Sequence, residues 1–160
     1  MTKEQFKEIF DGYFDTVRNY IYYRSGDQEL ATDIAQEAFM RIWEKQLKPD
    51  KNKTKALLLK IAGDLFISNY RKQKTEQNFK LNLKPEVIFE TPEDQLKFKE
   101  LKNTYVTALQ RLPEKQRTVF LMSRMDEMTY TEIAANIGLS VKAVEKRMTQ
   151  ALAYLKEVLK

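Results

Sequence analysis

The chain has 160 residues with neither cysteine nor histidine, which excludes a disulfide framework, a thiolate metal site and the commonest general base and zinc ligand. It is 32% charged with a formal net charge of +5. It opens MTKEQFKEIF, with no apolar signal core and no long apolar run, so a soluble, cytoplasmic protein without a membrane span is expected. The length suits one domain or two small ones, each with a small core.

The net charge is unevenly spread: −4 over residues 1–44, +8 over 45–84, −2 over 85–138 and +3 over 139–160. Two separated basic blocks are consistent with two contacts to a polyanion, although Lys-rich segments also serve as plain solvated surface. Phe6, Ile9, Phe10, Tyr13, Val17, Tyr20 and Ile21 recur at three- and four-residue steps, which predicts a first helix. Ser25-Gly26-Asp27 breaks it. Leu30, Ile34, Ala38, Phe39, Ile42 and Trp43 predict a second helix. The polar run KQLKPDKNKT over residues 45–54 reads as a loop. Leu57, Leu58, Ile61, Ala62, Leu65 and Tyr70 then mark a third helix that ends in Arg71-Lys72-Gln73-Lys74.

Periodicity is lost over residues 75–91, where Asn78, Asn82 and Pro85 stand among scattered apolar residues; this stretch reads as a flexible linker. Thr91-Pro92-Glu93-Asp94 has the chemistry of a helix start, with Thr as N-cap, Pro at the first helical position and acids in the first turn. That helix is expected to reach about Arg111, and Leu112-Pro113-Glu114 to begin another. The reading is all-α, with no internal repeat.

Residues 129–153, TYTEIAANIGLSVKAVEKRMTQALA, have helix-turn-helix spacing. Thr129 and Glu132 have capping-box spacing. Ala134 is small where two helices must cross closely. Gly138 can take the left-handed conformation of the turn, Ser140 can cap the second helix, and Val144 can close the contact between the two. Val141, Val144, Met148, Ala151, Leu152 and Leu155 should form its buried face. Lys142, Glu145, Lys146, Thr149 and Gln150 form the opposite one, and such a helix can lie in a major groove. The bland alternative is an ordinary amphipathic hairpin with a Gly turn.

Asp33, Gln36, Glu37 and Met40 share one face of the second helix. An acidic and amide face suits a basic protein partner rather than DNA; taken alone, it reads as solvated surface. In the third helix Phe66 and Tyr70 could stack unpaired bases while nearby Lys and Arg follow phosphates, although aromatics at such positions are more often core. No Gly-rich phosphate loop and no nucleophile paired with a base is visible, and Asp126-Glu127 reads as a surface carboxylate pair.

In this order the pieces resemble the sigma-70 family of RNA polymerase sigma factors, in particular its extracytoplasmic-function (ECF) subfamily, which carries only regions 2 and 4. Asp33-Ile34-Ala35-Gln36-Glu37-Ala38-Phe39 with Trp43 is similar to the region 2.2 pattern. Leu58 to Lys74 resembles regions 2.3 and 2.4, and Leu112-Pro113-Glu114-Lys115-Gln116-Arg117 resembles the start of region 4. The resemblance implies two small helical domains, a region 2 bundle of three or four helices over residues 1–75 and a region 4 helix-turn-helix over 93–160, joined by a linker at 76–92. It implies a non-enzymatic subunit that needs no cofactor or metal and directs promoter-specific initiation. Asp33, Gln36, Glu37, Met40 and Trp43 would meet core polymerase. Lys60, Asp64, Phe66, Tyr70, Arg71, Lys72 and Lys74 would take the melted −10 element. Ser140, Lys142, Glu145, Lys146, Arg147, Thr149 and Gln150 would read the duplex −35 element, with Lys142 and Arg147 on phosphates. It also implies an anti-sigma factor as partner. Four positions depart from the family pattern: Asp64 stands where Asn is frequent, Ser68 where Asp is, Leu57 where an aromatic is usual, and Ala143 where Thr is. The alternatives are a helix-turn-helix regulator with an unrelated dimerisation domain, and a protein-interaction module without DNA contact.

Overall fold

A computed structural model describes residues 1–50, 53–73 and 91–159, with the side chains of Tyr70 to Gln73 outside that description. The described elements are helices: α1 (Lys3–Ser25), α2 (Gln28–Glu44), α3 (Thr54–Gln73), α4 (Pro92–Arg111), α5 (Glu114–Arg124), α6 (Tyr130–Ile137) and α7 (Val141–Val158). They form two clusters, α1–α3 and α4–α7.

Local chemistry sets most of the helix ends. Thr2 and Gln5 form a reciprocal capping box at the start of α1, satisfying two of the amide groups a helix start leaves open. Gly26, at φ 71°, ends α1 in the left-handed conformation and donates its N–H to the Tyr22 carbonyl at 2.7 Å. One residue later Asp27 caps α2 by accepting from the Leu30 N–H at 3.1 Å. The Ser25-Gly26-Asp27 break is therefore a tight antiparallel turn that folds α2 back onto α1. Val17 and Ile21 of α1, Ile34, Ala35, Phe39 and Ile42 of α2, and Leu58, Leu59 and Ala62 of α3 are buried. At the open end of this bundle Phe6, Phe10 and Phe14 surround Phe39, with ring centroids 6.3, 5.1 and 5.8 Å away. Edge and tilted arrangements of this kind add to what burial alone contributes.

In the second cluster Thr91 caps α4 through the Asp94 N–H, with Pro92 at the first helical position. Thr129 and Glu132 close a second capping box on α6. Gly138 has φ 71°. Ser140 accepts from the Ala143 N–H at 3.1 Å to start α7. Ile133 and Ala134 of α6 are buried, as are Val144, Met148, Ala151 and Leu155 of α7. Two members of the face expected to be buried on α7 are not: Val141 and Leu152 are each 38% exposed. Val141 is the first residue of the helix; helical side chains lean toward the N-terminus, and there it has no preceding turn to pack on. Leu152 lies one residue, about 100° of helical rotation, from Ala151.

Candidate nucleic-acid interface

The outer face of α7 stands clear of the protein. Ser140, Lys142, Glu145, Lys146, Thr149 and Gln150 are exposed, whereas Arg147 is half-buried. Gln150 accepts a hydrogen bond at 3.1 Å from the Gln116 side chain of α5, so this part of the face is shared between the two helices. No acidic residue lies in the first turn of α7, leaving the helix N-terminus with its partial positive charge and three basic side chains nearby, an arrangement that favours phosphate.

The second candidate surface, on α3, is less open. Lys60 and Asp64 are exposed on its outer side. They help line a cleft of about 510 Å³ that α3 forms with α6, together with Arg24, Leu57, Ile67, Asn136 and Gly138. Phe66 is not a free platform: it is 5% exposed and the Arg24 guanidinium lies 4.6 Å over its ring, a cation–π contact. The side chains of Tyr70, Arg71 and Lys72, and Lys74 altogether, fall outside the described residues.

On α2, Asp33, Gln36 and Glu37 are exposed on one face together with Met40, which is 54% exposed. Glu37 pairs with Arg41 one turn on, at 3.4 Å. Trp43, one turn beyond Met40 at the edge of this face, is half-buried with its ring 5.2 Å from that of Phe6. The exposed strip thus combines two carboxylates, an amide and a large unburied thioether, a combination suited to a partner with both basic and apolar groups.

A third arrangement joins the two clusters, and it escaped the sequence reading. Arg117 of α5, 7% exposed, donates from Nε to the Tyr23 carbonyl at 2.8 Å and from Nη2 to the Arg24 carbonyl at 2.7 Å. It also donates from Nη1 to the Leu112 carbonyl at 3.2 Å. Tyr23 and Arg24 are in the last turn of α1, where carbonyls lack helical partners and carry partial negative charge; the guanidinium caps them across the cluster boundary. Burial lowers the pKa of Arg117 and neighbouring Glu114 raises it, and the group stays charged throughout the accessible range. Arg24 itself pairs with Glu114. Asp126, expected at the surface, instead reaches α1: its Oδ1 accepts from the Tyr23 hydroxyl at 2.7 Å and from the Asn19 amide at 3.4 Å. Its Oδ2 is buried without a hydrogen-bond partner among the described residues. Burial pushes the Asp126 carboxyl upward, opposed by the Tyr23 and Asn19 hydrogen bonds and by Lys55. The Tyr23 phenol is likewise raised by burial, then by Asp126. Only Glu127 of the expected carboxylate pair lies on the surface.

Comparison with known proteins agrees with this architecture. Residues 9–76 match the family model described as sigma-70 region 2, and residues 102–155 the model described as sigma-70, region 4. The ECF RNA polymerase sigma factor SigW of Bacillus subtilis is 30% identical, over 99% of this chain and 90% of that protein. The ferric citrate uptake sigma factor FecI of Escherichia coli is 29% identical, over 78% and 73% of the two chains. Among solved structures, the sigma factor RpoE of Bartonella quintana, in complex with the anti-sigma factor NepR, superposes with a TM-score of 0.69 at 21% identity, covering 98% of this chain and 97% of that one. CnrH, in complex with the cytosolic domain of CnrY, gives 0.65 at 22% identity, covering 99% and 89%. The chain is built as an RNA polymerase specificity subunit with paired region 2 and region 4 domains, and it belongs to the sigma-70 family. Within that family it is a member of the ECF subfamily. Its general function is that of a sigma factor, acting with core RNA polymerase in transcription initiation, and sigma factors are not enzymes. No described helix is long and apolar enough to cross a membrane.

Proposed function

We propose that the chain directs initiation at promoters with two spaced elements, residues 1–75 docking on core polymerase and holding the melted −10 element, residues 93–160 reading the duplex −35 element. The observation that carries this reading is the outer face of α7: a helix capped by Ser140 after the left-handed Gly138 turn, offering Lys142, Glu145, Lys146, Thr149 and Gln150 to solvent. Lys142 and Arg147 contact phosphates, and the other polar side chains on this face meet base edges. On the other domain the Asp33–Met40 strip and Trp43 face core polymerase. Lys60, Asp64 and the basic end of α3, with Tyr70, Arg71, Lys72 and Lys74, face the non-template strand. Phe66 supports that surface from below. Residues 76–92 set the spacing between the elements, each weak alone and stronger when tethered. The RpoE structure holds an anti-sigma factor and the CnrH structure a second protein, which supports an anti-sigma partner here too.

Run-off transcription from a fragmented genomic library, with purified core polymerase and with or without the protein, tests the proposal. New starts that share two spaced elements are expected. If no new starts appear, yet the protein alone retards particular duplexes, it is instead a free-standing helix-turn-helix regulator.

A further inference from the structure

Most of the outer face of α7 is left unengaged by the rest of the molecule. Among the described residues, Lys142, Glu145, Lys146 and Thr149 make no side-chain hydrogen bond or ion pair with another element. Gln150 differs. Its Oε1 accepts at 3.1 Å from Nε2 of Gln116, a half-buried residue in the first turn of α5. The Gln116 backbone is itself held, its N–H donating to the Pro113 carbonyl at 3.0 Å where α5 starts.

This bond gives the Gln150 amide a direction. A side-chain amide carries an acceptor oxygen and a donor nitrogen on one carbon, and a free one can turn either outward. Here the oxygen is turned onto α5, and the nitrogen with its N–H groups is left to face outward. Gln150 makes no other side-chain hydrogen bond among the described residues. A freely turning Gln in a major groove pairs with adenine through both ends, accepting from N6 and donating to N7. That contact needs the oxygen that Gln116 holds. A donor alone is matched by the O6 and N7 of guanine or the O4 of thymine. Cytosine meets it donor against donor at N4, and adenine offers N7 only with its N6 amino group alongside.

We propose that Gln116 is a positioning residue for base selection: by holding the oxygen of Gln150, it turns the amide so that α7 selects a keto base, guanine or thymine, over an amino base at the position Gln150 faces. This rests on the reading of α7 as the −35 helix. The same amide turned the other way selects the opposite class, so the residue at position 116 sets the base together with the one at 150. Holding the amide in place also lowers the rotamer freedom that Gln150 loses when DNA binds.

The test uses the full-length protein with core polymerase on a promoter recovered by run-off transcription, its −35 element randomised and each template barcoded downstream. Counting barcodes in the transcripts gives the preference for each base. Gln150→Ala locates the position by abolishing its preference. Gln116→Glu can only accept, so it takes an N–H of Gln150 and turns the oxygen outward, whereas Gln116→Lys can only donate and keeps the original direction. The expected result is about fivefold preference for a keto base in the wild type and in Gln116→Lys, with reversal to an amino base in Gln116→Glu. The reversal should vanish when Gln116→Glu is combined with Gln150→Ala. Gln116→Met, neutral and without a donor, frees both ends of Gln150 and should move the preference to adenine, which keeps the test open if Gln116→Glu does not fold. A charge at position 116 acts on all duplexes alike and leaves the ratio between bases unmoved. An amino preference in the wild type, no effect of Gln150→Ala, or a preference unchanged by Gln116→Glu and Gln116→Met overturns the positioning role while leaving the promoter reading intact. Absence of core-dependent transcription in every form removes the promoter reading and the positioning role with it.

Discussion

The outer face of α7 and the α6-facing side of α3 are candidate nucleic-acid surfaces of opposite availability. On α7 the polar side chains already project into solvent from a helix whose start is fixed by Ser140 and whose back is pinned by Val144, Met148, Ala151 and Leu155. On α3, Lys60 and Asp64 open into a cleft walled by α6, and Phe66 lies under Arg24. The first surface could meet duplex DNA with little rearrangement. The second is shared with α6. Their cores differ too: α1–α3 pack around a group of phenylalanines, whereas α4–α7 bury mainly aliphatic and methionine side chains.

The substitution with the largest expected effect asks whether the two clusters unfold together. Phe39→Ala removes a ring that is 1% exposed from the middle of the aromatic group and should cost about 4 kcal/mol. Urea melting followed by far-ultraviolet circular dichroism reads the outcome. If the joint couples the clusters, one transition shifts as a whole; a biphasic curve in which only one phase moves means that they fold independently. Arg117→Met comes next, at about 3 kcal/mol, because three backbone carbonyls lose a charged donor in a buried place. Two of these belong to α1. The loss should therefore appear both in melting and in energy transfer between dyes on Asp11→Cys in α1 and Lys156→Cys in α7, two exposed positions in a chain without cysteine; a melting loss with unchanged transfer would make Arg117 a support of the second cluster alone.

Much of this architecture is legible in the sequence because its signals are local. Thr91-Pro92, Thr129 with Glu132, Gly138 and Ser140 are each read within a turn of their own position, and the helices begin or end there. The alternation that marks Ile34, Phe39 and Ile42 as core also follows from short spacing. The joint between the clusters is different. Arg117 bonds to carbonyls 93 and 94 residues away, and a backbone carbonyl has no side-chain signature to search for. Its place in the run Leu112 to Arg117 drew attention through family resemblance, with no indication of what it would touch. Asp126 beside Glu127 has the look of surface because nothing within a few residues reveals Tyr23 and Asn19. Phe66 had two readings from spacing alone, and only the packing of Arg24 over it separates them.

Acidity probes the joint without a mutation. Burial holds the Asp126 carboxyl above its ordinary range, so docking favours its protonated form. That contribution to docking is complete below the ordinary carboxylate pKa and is lost as pH rises through the raised value. The groups facing it are Tyr23 and Asn19 on α1 and Lys55 on α3. Energy transfer should therefore fall as pH rises through the raised Asp126 value in the wild type. It should lose this component in Asp126→Asn, which keeps an oxygen for Tyr23 and carries no charge. An unchanged pH profile in that variant would assign the titration elsewhere.

The smallest effect separates the two surfaces most cleanly. Ser140→Ala removes the side-chain acceptor for the Ala143 N–H and should cost about 1 kcal/mol, too little to unfold the second cluster. The first turn of α7 frays, and with it the part of the outer face that carries Lys142. The clusters should stay docked, because no joint contact runs through Ser140. Binding to a duplex −35 element should weaken by roughly fivefold, the equivalent of the lost cap in an equilibrium constant. Transfer between the labelled α1 and α7 should not change. Ser140→Asp, which keeps a capping acceptor, should recover the helix start; placing a negative charge where phosphate is expected, it should bind duplex no better than Ser140→Ala. If Ser140→Asp instead restores duplex binding fully, the start of α7 supports the reading helix without lying against the phosphate backbone.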